Sequence, residues 1–216
     1  IPSSVTSIGS KAFSRCNSLQ DVTIPSSVTS IGHSVFYKCK NLKSIVVDSR
    51  NSNYISLDGA LYTKDFTIVM CYPATKELIT YIIPSSVTSI EPGALAFCRS
   101  LATIKIPSSV TSIGNKAFYS CDSLTQITIP SSVTLIQDKT FCYCYSLTQI
   151  TIPFSVTSIG SQAFFECSKL VQITIPSSVI SIGDKTFCGC RSLTQITIPS
   201  SVTSIGCGAF LGCNSL

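Results

Sequence analysis

Residues 192–206 read SLTQITIPSSVTSIG, and most of this stretch occurs again elsewhere in the chain. The tetrad Ile-Pro-Ser-Ser, or a close variant of it, begins at Ile1, Ile24, Ile83, Ile106, Ile129, Ile152, Ile175 and Ile198. These starts are 23 residues apart, except for one interval of 59 residues that holds a further unit, lengthened by 13 residues and starting at Val47. A fixed period in the twenties is typical of a solenoid, so the sequence predicts nine stacked rungs.

The first half of each unit predicts a short strand. From Leu124 to Ile129 apolar and polar residues alternate, which is the pattern of a strand with one buried face. Pro130 ends this strand because proline cannot donate a hydrogen bond to a sheet. Val133 and Ile136 follow as inward-facing anchors. The apolar positions therefore predict a core that is shared by all the stacked rungs.

The second half of each unit predicts a turn. Glycine follows the second anchor in six of eight units, and Glu91 and Gln137 occupy that position in the other two. A backbone angle φ above zero is the simplest reason for glycine there. Ala117, Phe118 and Cys121 then have roughly the spacing of one short helical turn.

Together these positions predict a leucine-rich repeat solenoid. We expect a parallel β-sheet on one face, with short turns and helical or 3-10 segments on the other. About nine rungs of 23 residues would form a single domain over residues 1–216, with an irregular long repeat and its β-hairpin at residues 47–82. Both ends of the chain read like the middle of a repeat, so we expect a fragment of a longer array.

Composition excludes several classes of protein. Charged residues make up 12% of the chain and apolar residues 44%, which is too apolar for a disordered protein. No apolar run is long enough to span a bilayer. The net charge of +5 is modest, and the basic residues are scattered apart from Lys38, Lys40 and Lys43. This pattern favours a solvated basic face over a polyanion site, and no nucleic-acid partner is expected.

The twelve cysteines follow the repeat. Eight of them occupy one position of the unit: Cys16, Cys39, Cys98, Cys121, Cys144, Cys167, Cys190 and Cys213. One cysteine per rung predicts a ladder of free, buried thiols in which each acts as a small apolar residue. Four more, Cys71, Cys142, Cys188 and Cys207, are expected to be additional core or surface thiols. With His33 as the single histidine, the sequence predicts no metal site and no cofactor.

Catalysis finds no support in the sequence. A single histidine cannot complete a nucleophile–base–acid triad or a metal-assisted hydrolase of familiar type. Asp138 and Asp184 share a turn position two units apart, roughly 10 Å along the stack, which is too far for a catalytic carboxylate pair. The sequence therefore predicts no catalytic residues and a protein that is not an enzyme.

Binding is better supported than catalysis. Outward-facing strand positions in the last four rungs form a uniform ladder: Gln126, Thr128, Gln149, Thr151, Gln172, Thr174, Gln195 and Thr197. The strand face is where solenoids commonly bind, although Gln and Thr also suit a strand as pure scaffold. The long repeat carries Tyr54, Tyr62, Phe66 and Tyr72, which predict either a projecting interface or an aromatic core that closes the hairpin.

The unit C-x-S-L-T-x-I-T-I-P-S-S-V-T-S-I-G-x-x-A-F resembles the BspA-like class of leucine-rich repeats, which occur in surface proteins of anaerobic bacteria and protozoan parasites. The resemblance covers the whole chain. The long repeat looks like the hairpin-bearing variant of that family. In that variant Ala60–Tyr62 and Thr67–Met70 would be strands, joined by a turn at residues 63–66.

The resemblance implies a cell-surface or secreted adhesion module. It would bind a host extracellular-matrix protein or the surface of another cell, but it carries over no site residues. Two alternatives stay open from the residues: a structural spacer that presents a recognition domain elsewhere, or a flat Thr array for ordered surfaces such as ice or crystalline glycans. Apolar stacks exposed at Ile1 and Leu216 also predict end-to-end self-association.

Overall fold

A computed structural model describes all 216 residues, and it contains two sets of strands where the sequence predicts one. The strands that precede each Ile-Pro form a two-stranded sheet in the first rungs and a separate six-stranded sheet in the later rungs, and we call the two together the first sheet. Its strands are β2 (Asp21–Ile24), β4 (Ser44–Val47), β8 (Thr80–Ile82), β10 (Thr103–Lys105), β12 (Gln126–Thr128), β14 (Gln149–Thr151), β16 (Gln172–Thr174) and β18 (Gln195–Thr197).

The other set lies around the second anchor of each unit, and we call it the second sheet. Its regular strands are β1 (Ser7–Ile8), β3 (Ser30–Ile31), β9 (Ser89–Ile90), β11 (Ser112–Ile113), β13 (Leu135–Ile136), β15 (Ser158–Ile159), β17 (Ser181–Ile182) and β19 (Ser204–Ile205). The long repeat adds β5 (Tyr54–Leu57), β6 (Ala60–Thr63) and β7 (Ile68–Cys71).

Like residues pair with like residues throughout the regular rungs. Gln126 lies opposite Gln149 and Ile127 opposite Ile150 in parallel strands, because the 23-residue period places the same position of successive units side by side. The isoleucines point into the core and their neighbours point to solvent. The predicted parallel sheet and its inward and outward faces are thus confirmed.

The prediction of helical segments on the other face is wrong, because the turn region contains no helix. No helix that is long and apolar enough to cross a membrane is present either. The backbone amides alternate instead. Ala117 donates to Gly114 within its own turn, at 3.1 Å, and Phe118 donates to Thr140 of the next rung, at 3.0 Å. Because every second backbone amide of the turn donates its hydrogen bond to the next rung, a continuous helix cannot form. Left-handed residues such as Lys116 (φ 60°) also interrupt any right-handed helical path.

The recurring glycine also has a different cause from the one predicted. None of the six repeat glycines has a positive φ; the left-handed residues lie further along the turn. The glycine is needed because the next backbone is too close: a Cβ on Gly183 would lie 2.5 Å from the backbone nitrogen of Ser161. Gln137 occupies this position in one rung, and there the second sheet is interrupted between Ser112–Ile113 and Leu135–Ile136.

The hairpin lies inside the stack. Ala60–Thr63 and Ile68–Cys71 form the expected antiparallel pair, and an additional strand, Tyr54–Leu57, pairs with the first of them. Ile68–Cys71 then continues the second sheet by pairing in parallel with Ser89–Ile90. The hairpin separates two cores, because Leu61 packs with a smaller N-terminal cluster of 13 buried residues and Tyr62 with a larger one of 42.

The cysteine ladder is free of disulfides, as predicted, and it has hydrogen bonds that the sequence did not indicate. Six of its eight members are buried, and Cys16 and Cys213 are the more exposed ones at the two ends. The Cys167 thiol donates to the carbonyl of Phe141 in the preceding rung at 3.2 Å, and Cys144 and Cys190 repeat this bond. Each of these three thiols thus links two rungs.

We expect two thiols, those of Cys16 and Cys207, to react rapidly with iodoacetamide at pH 8, and the others only after denaturation. Cys16 and Cys207 are exposed, whereas burial raises the pKa of Cys71 and of Cys142 to about 12 and so suppresses the reactive thiolate. Peptide mass spectrometry after timed quenching measures each site. Rapid labelling of Cys144 or Cys167 would contradict the buried ladder.

Candidate functional site

The predicted Gln/Thr ladder is exposed along its whole length. Its eight residues lie on Gln126–Thr128, Gln149–Thr151, Gln172–Thr174 and Gln195–Thr197, and all eight side chains face solvent. In-register pairing aligns the glutamines in one row and the threonines in another. The orientation of these residues is therefore as predicted, and whether they bind a partner stays a prediction.

Six of the eight ladder residues, all except Gln195 and Thr197, form the floor of an open depression of about 790 Å³ on the first sheet. It extends over four strands, from Thr103–Lys105 to Gln172–Thr174. Lys105 is the one charged residue in its lining. The floor therefore offers neutral groups that both donate and accept hydrogen bonds, which suits a polar protein surface better than an ion.

Phe154 lies on the rim of this depression and is the residue that the sequence prediction missed. Its side chain is 77% exposed, the largest exposure among the big apolar residues of the chain. It replaces the first serine of the tetrad, which is serine in the seven other tetrads. That single break in the repeat was the available signal. An exposed aromatic ring beside a polar floor is a typical anchor of a protein interface.

The tetrad itself shows why phenylalanine is tolerated at residue 154. The second serine of each tetrad is structural: Ser155 donates to the carbonyl of Val133 at 2.6 Å, and Ser178 to that of Val156 at 2.7 Å. The first serine, represented by Ser131 and Ser177, makes no side-chain hydrogen bond. Phe154 thus removes no contact that holds the rungs together.

The aromatic residues of the long repeat do not join this site. Tyr54, Tyr62 and Tyr72 are 8%, 1% and 2% exposed, so the prediction that they project as an interface is wrong. They form the alternative that the sequence left open, an aromatic core. Tyr62 packs its ring against the half-buried Phe66 at 5.4 Å, and its hydroxyl is hydrogen-bonded to that of Tyr81.

The site contains no arrangement that suggests bond-breaking chemistry. Its lining has neither a carboxylate nor a histidine or cysteine that could act as base or nucleophile. No group of three or more His, Cys, Asp or Glu side chains anywhere in the chain is placed to hold a metal ion. What the depression offers is polar contact area with one aromatic side chain at its edge.

The chain matches the model of the BspA type leucine rich repeat region, in six copies, over residues 1–64, 69–179 and 134–216. It has no significant match among curated proteins.

Three solved structures of bacterial proteins share this fold. A leucine rich cell surface protein of Faecalibacterium prausnitzii is 37% identical with a TM-score of 0.85 over 90% of this chain. A leucine-rich repeat protein of Eubacterium ventriosum is 31% identical with a TM-score of 0.78 over 98%. The pneumococcal vaccine antigen PcpA, at 23% identity and a TM-score of 0.78 over 94% of this chain, shares the fold. The chain spans 63% of the Eubacterium protein, 52% of the Faecalibacterium protein and 54% of PcpA.

Proposed function

Because this chain belongs to the BspA-type leucine-rich repeat family, we propose that it is a non-enzymatic module of a cell-surface or secreted protein and binds a protein partner through its first sheet. The partner would be an extracellular-matrix protein or a protein on another cell. The description of the Faecalibacterium relative as a cell surface protein supports this location.

The exposed Phe154 beside the Gln/Thr floor is the observation that carries the proposal. An aromatic ring that is 77% exposed contributes little to the stability of the fold, whereas on binding it can bury much of its apolar area. The floor would supply hydrogen bonds around it. Ile82, which is 64% exposed, continues the outward Thr row of the six-stranded sheet toward the hairpin. Val46, which is 51% exposed, lies at the equivalent position of the separate two-stranded sheet.

We expect Phe154→Ser to weaken binding to the partner by about tenfold or more, because truncation removes the aromatic anchor of the interface. The substitution restores the serine of the other tetrads, so the thermal stability should stay unchanged. Binding is measured by biolayer interferometry against immobilised collagen, laminin and fibronectin and against intact epithelial cells.

The matched control is Ile180→Thr, which removes another exposed apolar side chain, 54% exposed, from beside the second sheet. It also restores the residue found in the other regular units, as in Thr157 and Thr203. Full binding by Ile180→Thr with weak binding by Phe154→Ser supports the proposal. Equal binding by both variants and the wild type would favour the spacer, as would full adhesion after in-frame deletion of residues 175–197.

A further inference from the structure

Three aromatic rings form a cluster on the turn face, opposite the candidate site. Tyr37, Phe97 and Tyr119 have ring centroids 5.4–6.3 Å apart and meet edge to face or tilted. They meet because the hairpin rung has no turn segment of the regular kind. The second rung therefore lies directly against the fourth, and the Ser34 hydroxyl donates to the carbonyl of Pro92 at 2.9 Å.

Three lysine ammonium groups converge on these rings. Lys38 Nζ lies 5.6–5.8 Å from all three ring centroids, Lys40 Nζ lies 5.8 Å from that of Phe97, and Lys116 Nζ lies 5.7 Å from that of Tyr37. These are cation–π distances, and the contacts hold the ammonium groups close together without neutralising their charge.

None of these three lysines forms a salt bridge with a carboxylate. The three salt bridges of the chain all use arginines, namely Arg50, Arg99 and Arg191. The pKa of Lys116 is lowered by burial first and then by Lys139, Lys11 and Lys38, which shows how densely cations surround it. A concentration of unpaired cations on a rigid surface is complementary to a ligand that carries several anionic groups.

We propose that Lys38, Lys40 and Lys116 on the Tyr37–Phe97–Tyr119 cluster form a binding site for a sulfated polysaccharide. Sulfate groups need only closely spaced cations. Single-stranded nucleic acid, by contrast, is usually held by bases stacked on open ring faces. Here the ammonium groups and neighbouring rings already cover those faces. The choice of an extracellular glycan rests on the proposed surface location, where such chains are the abundant polyanions.

The test compares two triple variants with the same net charge. K38Q/K40Q/K116Q removes the cluster, and K43Q/K64Q/K169Q removes three lysines elsewhere. Glutamine is already found in a left-handed turn position equivalent to Lys116, at Gln162, so the fold should tolerate it. Affinity for a fluorescent heparin octasaccharide is measured by fluorescence polarisation at several salt concentrations. Desulfated heparin and a DNA duplex serve as comparison ligands.

We expect the cluster variant to lose about tenfold or more in heparin affinity at physiological salt, with a shallower salt dependence, and the control variant to stay within about threefold. Desulfated heparin and the duplex should bind the wild type more weakly than heparin. Absence of heparin binding to the wild type, an equal loss in both variants, or equal binding of the duplex would each overturn the proposal. Phe154→Ser should leave heparin binding intact, which separates this site from the protein-binding face.

Discussion

Replacing Phe164 by alanine lowers the free energy of unfolding by an expected 3 to 5 kcal/mol, roughly the cost of truncating a fully buried aromatic residue. Phe164 is 0% exposed and lies in a column of parallel rings. Its centroid is 5.4 Å from those of Phe141 and Phe187, with interplanar angles of 8° and 1°. Truncation therefore removes two stacked contacts and leaves a cavity in the middle of the column.

The size of the effect should depend on the place in the column. Phe210 has one stacked neighbour, Phe187, and is only half-buried, so Phe210→Ala should cost about 1 to 2 kcal/mol less than Phe164→Ala. Urea unfolding followed by circular dichroism measures both. Equal costs for the two variants would contradict a stabilising role of stacking from both sides.

Gly183→Ala is expected to destabilise the protein by about 1 to 3 kcal/mol, as overpacking does. An added Cβ would lie 2.5 Å from the nitrogen and 2.9 Å from the Cα of Ser161, and 2.7 Å from the carbonyl carbon of Gly160. All three atoms belong to backbone that is fixed by the stacking of rungs, so relief requires the rungs to move apart. The loss should appear as a lower urea midpoint.

Gly9→Ala is the matched control for this substitution. Gly9 occupies the same position of its unit, but no atom of the structure lies within 4 Å of an added Cβ. The free energy of unfolding of the Gly9→Ala variant should differ from that of the wild type by no more than about 0.5 kcal/mol. If both alanine variants lost the same stability, the glycine would be required for its own backbone conformation rather than for close approach.

The rung at Gln137 shows the same constraint within the native chain. In other rungs the amide at this position donates to the preceding strand, as Gly160 does to Ile136 at 2.8 Å and Gly183 to Ile159 at 2.8 Å. At Gln137 the second sheet is interrupted between Ser112–Ile113 and Leu135–Ile136. At Glu91, which follows the hairpin rung, the amide still donates to the carbonyl of Val69 at 2.9 Å and the sheet continues. The first sheet continues across the same two rungs as the interruption, where Thr103–Lys105 pairs with Gln126–Thr128, so the interruption is confined to the second sheet.

Much of the candidate site could be predicted because strand alternation is a local property. The polar residues at Gln126 and Thr128 flank the buried Ile127, and each side chain of a strand points opposite to the next. Phe154 could also have been identified from the sequence, because it is the one apolar residue at a serine position of the tetrad. The position of Phe154 beside a depression, which makes it a candidate for binding, is seen only in the tertiary structure.

The burial of the long repeat could not be predicted from the order of apolar and polar residues in the sequence. The strand Ala60–Thr63 is buried on both faces, because one core lies against Leu61 and the other against Tyr62. Aromatic and apolar residues in a short strand are equally compatible with a projecting hairpin and an internal one. Which of the two forms depends on the rungs on either side, and those contacts are distant in sequence.

The sequence by itself determined the period, the like-with-like register and the inward or outward direction of each strand residue, because these follow from backbone geometry within one unit. Three features were found only in the tertiary structure. They are the second sheet, the close backbone approach that requires glycine, and the placement of Lys38 and Lys116 on one aromatic cluster. Each of these depends on how closely one rung approaches the next. Where the hairpin rung omits its turn, two rungs distant in sequence come into contact, and the lysine cluster forms there.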